Sequence, residues 1–149
     1  MSESGLESKS LRLEPHYLVC VLAPTEDAER IMAHVAKLSP LAIGRYDRNA
    51  FQSAAGTEHY RPLEGAPAGA EHEVRHRQGV VELSFQLPLD RDLLCRIAET
   101  VYEVHSYQEP LIMVSEILAS RTKGLDDRNN PHRWWNTTGD WKKSSSSNA

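Results

Sequence analysis

HYLVCVLAPTEDAERIMAHVAKLSP, residues 16–40, decides the fold. Its first nine residues, 16–24, form a continuous apolar run closed by proline. The run is too short for a helix and rich in β-formers, which predicts a central strand buried on both faces. The period then changes. Ala28, Ile31, Met32, Val35 and Leu38 recur at helical spacing on one face. Thr25 is placed as the N-cap, Glu26 and Asp27 suit the positive end of the helix, and Ser39-Pro40 stops it.

The same pair of elements recurs downstream. In GVVELSFQLP, residues 79–88, Val81, Leu83, Phe85 and Leu87 alternate with Glu82, Ser84 and Gln86, the pattern of a half-buried strand. A helix follows from about Asp90, with Asp90 and Asp92 in its first turn. Its apolar stripe is Leu94, Ile97, Ala98, Val101 and Val104, and it ends near His105. After Pro110, LIMVSEIL reads as another buried strand. Between the halves, Tyr46–Gln52 and His59–Leu63 are expected as two arms of a long hairpin. Ala55-Gly56 would sit at its turn, where glycine allows positive φ. The order gives an α+β ferredoxin-like βαββαβ sandwich, with helices on one face of an antiparallel sheet.

The 149 residues predict one domain with a core large enough to need no disulfide or metal. It is expected over residues 15–120, after a flexible N-terminal segment, 1–14. Residues 121–143 carry Trp134, Trp135 and Trp141, expected to bury against the domain or a neighbouring subunit, or to lid a ligand cleft. Residues 144–149, SSSSNA, are expected as a disordered tail. The net charge of −4 provides no general basic surface for nucleic acid or an anionic membrane. The longest apolar run, Leu18–Pro24, falls far short of the ~20 residues of a membrane helix. The N-terminus has no apolar core of the signal-peptide type. Together these predict a cytoplasmic protein with no nucleic-acid or membrane partner. Cys20 and Cys95 form no CxxC pair and read as buried free thiols.

Three stretches carry a resemblance: IGRYDRNAFQSAAGTEHYRPLEG (43–65), the βαβ half from Val80 to Leu118, and VHSYQEP (104–110). In this order they resemble the small domain inserted in the Ngg-one-interacting-factor-three-like family. That insert typically reads like IGxY, then GTGTFRPLEG, then HPYEEP, and the match covers about residues 16–120. The resemblance implies a PII-like, CutA-like domain that assembles as a homotrimer through sheet edges and long hairpins, here as a stand-alone version of the insert. The parent family's dinuclear metal site lies in flanking lobes outside the match, so its hydrolase-like activity is not carried over. The HPYEEP-like stretch is here His105-Ser106-Tyr107-Gln108-Glu109-Pro110, with the proline and the first glutamate replaced. Glu58 and His59 stand where the insert usually has smaller residues.

Candidate site residues follow from these stretches. His105 and Glu109, with His59, are candidate ligands of a divalent metal ion, Cu or Zn, because imidazole suits both. In the structural alternative His105 caps the helix C-terminus and Tyr107 packs. His72 and His76 lie four apart, which on a strand is ~13 Å and too far for one ion. Tyr46, Arg61, Glu64 and Tyr107 are candidate ligand-binding residues, and Arg45, Arg48 and Arg61 could meet a phosphate or carboxylate. The alternative is a solvated hairpin face with cross-strand charge pairs. The glycines form no nucleotide fingerprint, and no Ser-His-Asp or Cys-His grouping can be placed by spacing. The leading expectation is a non-enzymatic trimeric sensor or interaction module, binding a small ligand or protein partner at intersubunit clefts near Tyr46, Glu64, His105 and Glu109. A CutA-like divalent-metal-binding protein and a small phosphate-handling enzyme on the same fold are the alternatives.

Overall fold

The computed structural model describes residues 6–124 and 126–137. Trp141 and the SSSSNA tail lie outside the described residues. The elements are β1 (Leu6–Glu7), β2 (Leu11–Pro24), α1 (Thr25–Leu38), β3 (Phe51–Gln52), β4 (Gly56–Tyr60), β5 (Arg75–Leu87), α2 (Arg91–Val104) and β6 (Ile112–Thr122). A 3-10 turn, Trp134–Asn136, follows.

β2 is the central strand. It pairs antiparallel with β5 from Tyr17↔Leu87 to Pro24↔Val80 and, on its other side, with β6 from Leu11↔Thr122 to Val21↔Ile112. β3 and β4 both pair antiparallel with β5. The lateral order is therefore β6-β2-β5-β3/β4, and the two helices cover one face. This is the ferredoxin-like βαββαβ arrangement that the alternating periods predict.

The core lies where the periods meet. Tyr17, Val19, Val21 and Ala23 of β2 and Val81, Leu83, Phe85 and Leu87 of β5 share one face, since alternate strand residues point the same way. Ile31 and Val35 of α1 and Ile97 and Val101 of α2 bury completely against them. The stripe of α2 also takes in Leu93, one turn before Ile97. The opposite sheet face, with Leu18, Cys20 and Leu22 of β2, carries no helix among the described residues.

Several expectations are corrected. Tyr46–Gln52 and His59–Leu63 are not two arms of one hairpin. β3 and β4 are successive pieces of a single edge laid along β5, interrupted at Ser53–Ala55. Ser53 bridges the gap: its N–H donates to the Glu82 carbonyl at 3.0 Å and its Oγ accepts from the Glu82 N–H at 2.8 Å. The long hairpin is instead β4–β5, which reaches back to Arg75, and the register shifts between Gly56 and Thr57. Residues 6–14 are not loose. Leu11–Glu14 lengthen β2 because β6 runs on to Thr122 beside them. Thr25 is the first helical residue rather than the N-cap, and its hydroxyl donates to the Gly79 carbonyl at 2.7 Å. Cys95 is exposed, two residues past Leu93 and on the solvent side of α2, while Cys20 is half-buried. Trp134 keeps 49% of its surface exposed. Trp135 is half-buried and its Nε1 donates to the Arg128 carbonyl within the same segment.

Candidate functional site

α2 ends at Val104 and is capped by His105, whose backbone N–H donates to the Val101 carbonyl. The chain then turns back through residues 106–111 to start β6. Beyond Val21, β6 no longer covers β2, and the turn takes its place. The His105 ring enters the space, fully buried, and its Nε2 donates to the Leu22 carbonyl at 2.7 Å. Its Nδ1 accepts from the Tyr107 backbone N–H at 3.0 Å. The ring is thus neutral, with the proton on Nε2. It satisfies a strand carbonyl on one side and fixes the turn on the other.

Asp27, on the first turn of α1, is buried beside it. Its Oδ2 accepts from the Ser106 N–H at 3.0 Å and from the Ser106 hydroxyl at 2.6 Å. Its Oδ1 pairs with Arg30 at 2.6 Å, and the Arg30 Nε donates to the Val104 carbonyl at the end of α2. Burial pushes the Asp27 carboxyl up, but the Ser106 and Arg30 contacts outweigh it and hold the group below its ordinary value. The start of α1 and the end of α2 are locked together through one carboxylate.

The turn also reaches the long hairpin. The Tyr107 hydroxyl donates to Glu58 Oε1 on β4 at 2.7 Å. The Arg77 guanidinium lies 5.4 Å from the centre of the Tyr107 ring and 3.5 Å from Glu26 of α1. Burial, then the bond to Glu58, pushes the Tyr107 phenol well above its ordinary value, so it stays a neutral donor. The two stretches that carry the family resemblance therefore meet at Tyr107 and Glu58.

The sequence-predicted residues divide. Tyr107 lies in this network. His105 lies in it too, but both ring nitrogens are occupied and it presents no free lone pair to a metal. Glu109 is exposed. His59 follows Glu58 on β4 and so points to the opposite sheet face, away from His105. The three are not brought together, and among the described residues no three His, Cys, Asp or Glu side chains gather around one point. Arg61 and Glu64 lie in the loop joining β4 to β5, and Arg61 donates to the His72 carbonyl at 3.4 Å. Tyr46 lies before β3, at the other end of the edge. Between the β5 partners of Phe51 and Tyr60, Ser84 and Arg75, the strand rises roughly 30 Å. Asp27, Glu58 and Arg77 were not among the expected site residues. The available signal was Glu58, a carboxylate where the resembling stretch has a small residue.

Two hollows flank the sheet edge. One, of about 590 Å³, lies between α1 and β3, lined by Ala28, Met32, Ala36, Leu41 and Phe51. The other, of about 410 Å³, opens on the bare face and is lined by Leu22, Ser53, Thr57, His59, Val80 and Glu82.

No family model and no curated protein matches this sequence. Among solved structures, a NIF3-related protein of Bacillus cereus superposes with a TM-score of 0.56 at 19% identity, over 78% of this chain and 29% of its own. CutA of Synechococcus elongatus gives 0.49 at 18% identity, over 80% and 87%. The CutA of Archaeoglobus fulgidus, called a periplasmic divalent cation tolerance protein, gives 0.48 at 18%, over 67% and 81%. The chain shares its fold with part of the Bacillus cereus protein and spans under a third of that protein's length. No helix among the described residues is long and apolar enough to cross a membrane.

Proposed function

We propose that this chain is a non-catalytic assembly module in which three copies close into a ring and hold a small ligand or a partner protein at the clefts between them. One observation carries this reading: the outer edge of β6. β6 is 11 residues long, and among the described residues nothing pairs with its outer side. It also exposes Met113, Val114 and Leu118 by 43–46%. A long, apolar, unpaired edge invites another strand. The other edge of the sheet, β3 and β4, is a different surface. Joining unlike edges is a head-to-tail contact, which closes into a ring when the rotation allows.

The cleft residues fit this reading. Tyr46 stands at one end of the β3/β4 edge, and Arg61, Glu64 and Tyr107 at the other. A neighbouring copy is what would bring such distant groups onto one ligand. The buried histidine of the turn serves structure, since its two nitrogens are committed to backbone groups. Size-exclusion chromatography with light scattering, run with EDTA, tests the proposal. A mass of three chains is expected, and a stable monomer would overturn it.

A further inference from the structure

Three histidines have ring nitrogens committed within the fold. His16 donates to the Glu14 carbonyl and accepts from Arg121, His34 donates to the Arg30 carbonyl, and His105 is engaged at both nitrogens. His59 and His76 differ. They are direct cross-strand partners on β4 and β5, with ring centres 4.6 Å apart and planes at 78°. Both are exposed, and among the described residues neither ring makes a hydrogen bond.

We propose that His59 and His76 form a two-imidazole site for a divalent transition-metal ion of the nickel, copper and zinc class. Directly opposed strand residues hold their Cβ atoms ~4.5–5.5 Å apart, so both side chains leave the sheet in parallel. Metal–imidazole bonds of ~2.0–2.1 Å require the two nitrogens to converge to roughly 3 Å. Small rotations about the side-chain torsions achieve this from an edge-to-face pair already in contact. The backbone ladder fixes the rest, so little ordering is left to oppose binding. Neutral imidazole selects nickel, copper and zinc over magnesium and calcium, which prefer oxygen.

The surroundings suit an open site. His59 lines the 410 Å³ hollow on the bare sheet face, leaving room for water or an added ligand on the ion. Thr57 and Gln78, the next cross-strand pair on that face, place a hydroxyl and an amide beside it. The proposal does not rest on ring assembly. Binding by a monomer would uphold it, and a trimer without the site would refute it.

The test uses the purified full chain titrated with Ni(II), Zn(II) and Mg(II) by calorimetry. One nickel or zinc ion per chain and no heat with magnesium are expected. His59→Gln and His76→Gln should each lower the affinity at least about tenfold, and His132→Gln should leave it unchanged. Unchanged binding in either of the first two variants, or loss in the third, would overturn the assignment. A second arm needs no variant. In wild-type protein, substoichiometric Ni(II) should broaden the ring proton resonances of His59 and His76 before those of any other histidine. Broadening centred elsewhere would overturn it.

Discussion

The Tyr107 hydroxyl and the Glu58 carboxylate, 49 residues apart in sequence, meet at 2.7 Å. This bond ties the turn before β6 to the edge strand β4, across the helix-bearing side of the sheet. Tyr107→Phe removes the donor, keeps the ring, and leaves Glu58 able to turn toward water. A partly exposed bond to a charged acceptor of this kind contributes about 1 kcal/mol. Urea denaturation should show that loss with an unchanged slope. An unchanged midpoint would mean that the bond contributes nothing to stability.

Asp27 sets the acid limit of the fold. Its folded pKa lies below its unfolded value, so its contribution is complete above the unfolded value of ~3.9. It is lost as pH falls through the lower folded value. Asp27→Asn should cost about 2 kcal/mol at pH 7, by weakening the bonds to Ser106 and Arg30 around a buried group. It should also flatten the decline of the urea midpoint below about pH 4. A variant that keeps the wild-type decline would place the acid sensitivity elsewhere.

The two thiols should react at different rates. Cys95 is exposed on α2 and Cys20 is half-buried on the bare sheet face. Burial pushes the Cys20 thiol up, and its Sγ lies 3.7 Å from Ser84 Oγ. Reaction depends on thiolate and access. A disulfide reagent at pH 8 should therefore label one thiol fast and the other slowly, and mass mapping should put the fast label on Cys95. Equal rates would count against the environments described.

The β6 edge can be tested directly. Leu118→Lys and Val114→Lys place charges on an edge strand, the device by which natural sheets refuse partners. Each should convert a three-chain mass to a folded monomer with unchanged far-ultraviolet circular dichroism. A mass that stays at three would move the subunit contact away from β6.

The architecture was legible because two strand–helix pairs announce themselves by a change of period, at Pro24–Thr25 and again near Asp90. Burial on one side of Val81, Leu83, Phe85 and Leu87 then follows from alternation. The edge was not legible. Phe51–Gln52 and Gly56–Tyr60 are too short to show a period, and their partner is chosen by β5 rather than by local chemistry. That the three expected metal ligands are not brought together has a related reason. His105 and His59 looked equivalent as imidazoles, yet one caps a helix inside the protein and the other faces out beside His76. That pairing depends on the β4–β5 register, which no local pattern encodes. Asp27 lay in view as a helix-start acid, but its partner Ser106 is 79 positions away.

The bond from His105 to Leu22 spans 83 positions and closes the last uncovered stretch of the central strand. It follows that β2, the most apolar strand, is made before both of its long strand partners. Apart from two-residue β1, its strand partners are β5 and β6, and the final carbonyl is satisfied only by the end of α2. During synthesis it leaves the ribosome before any of them, so the nascent chain carries β2 without its long strand partners until β5 has been made. Helix α1 follows it directly and packs on its core face, which makes the β2–α1 unit the natural place for folding to begin.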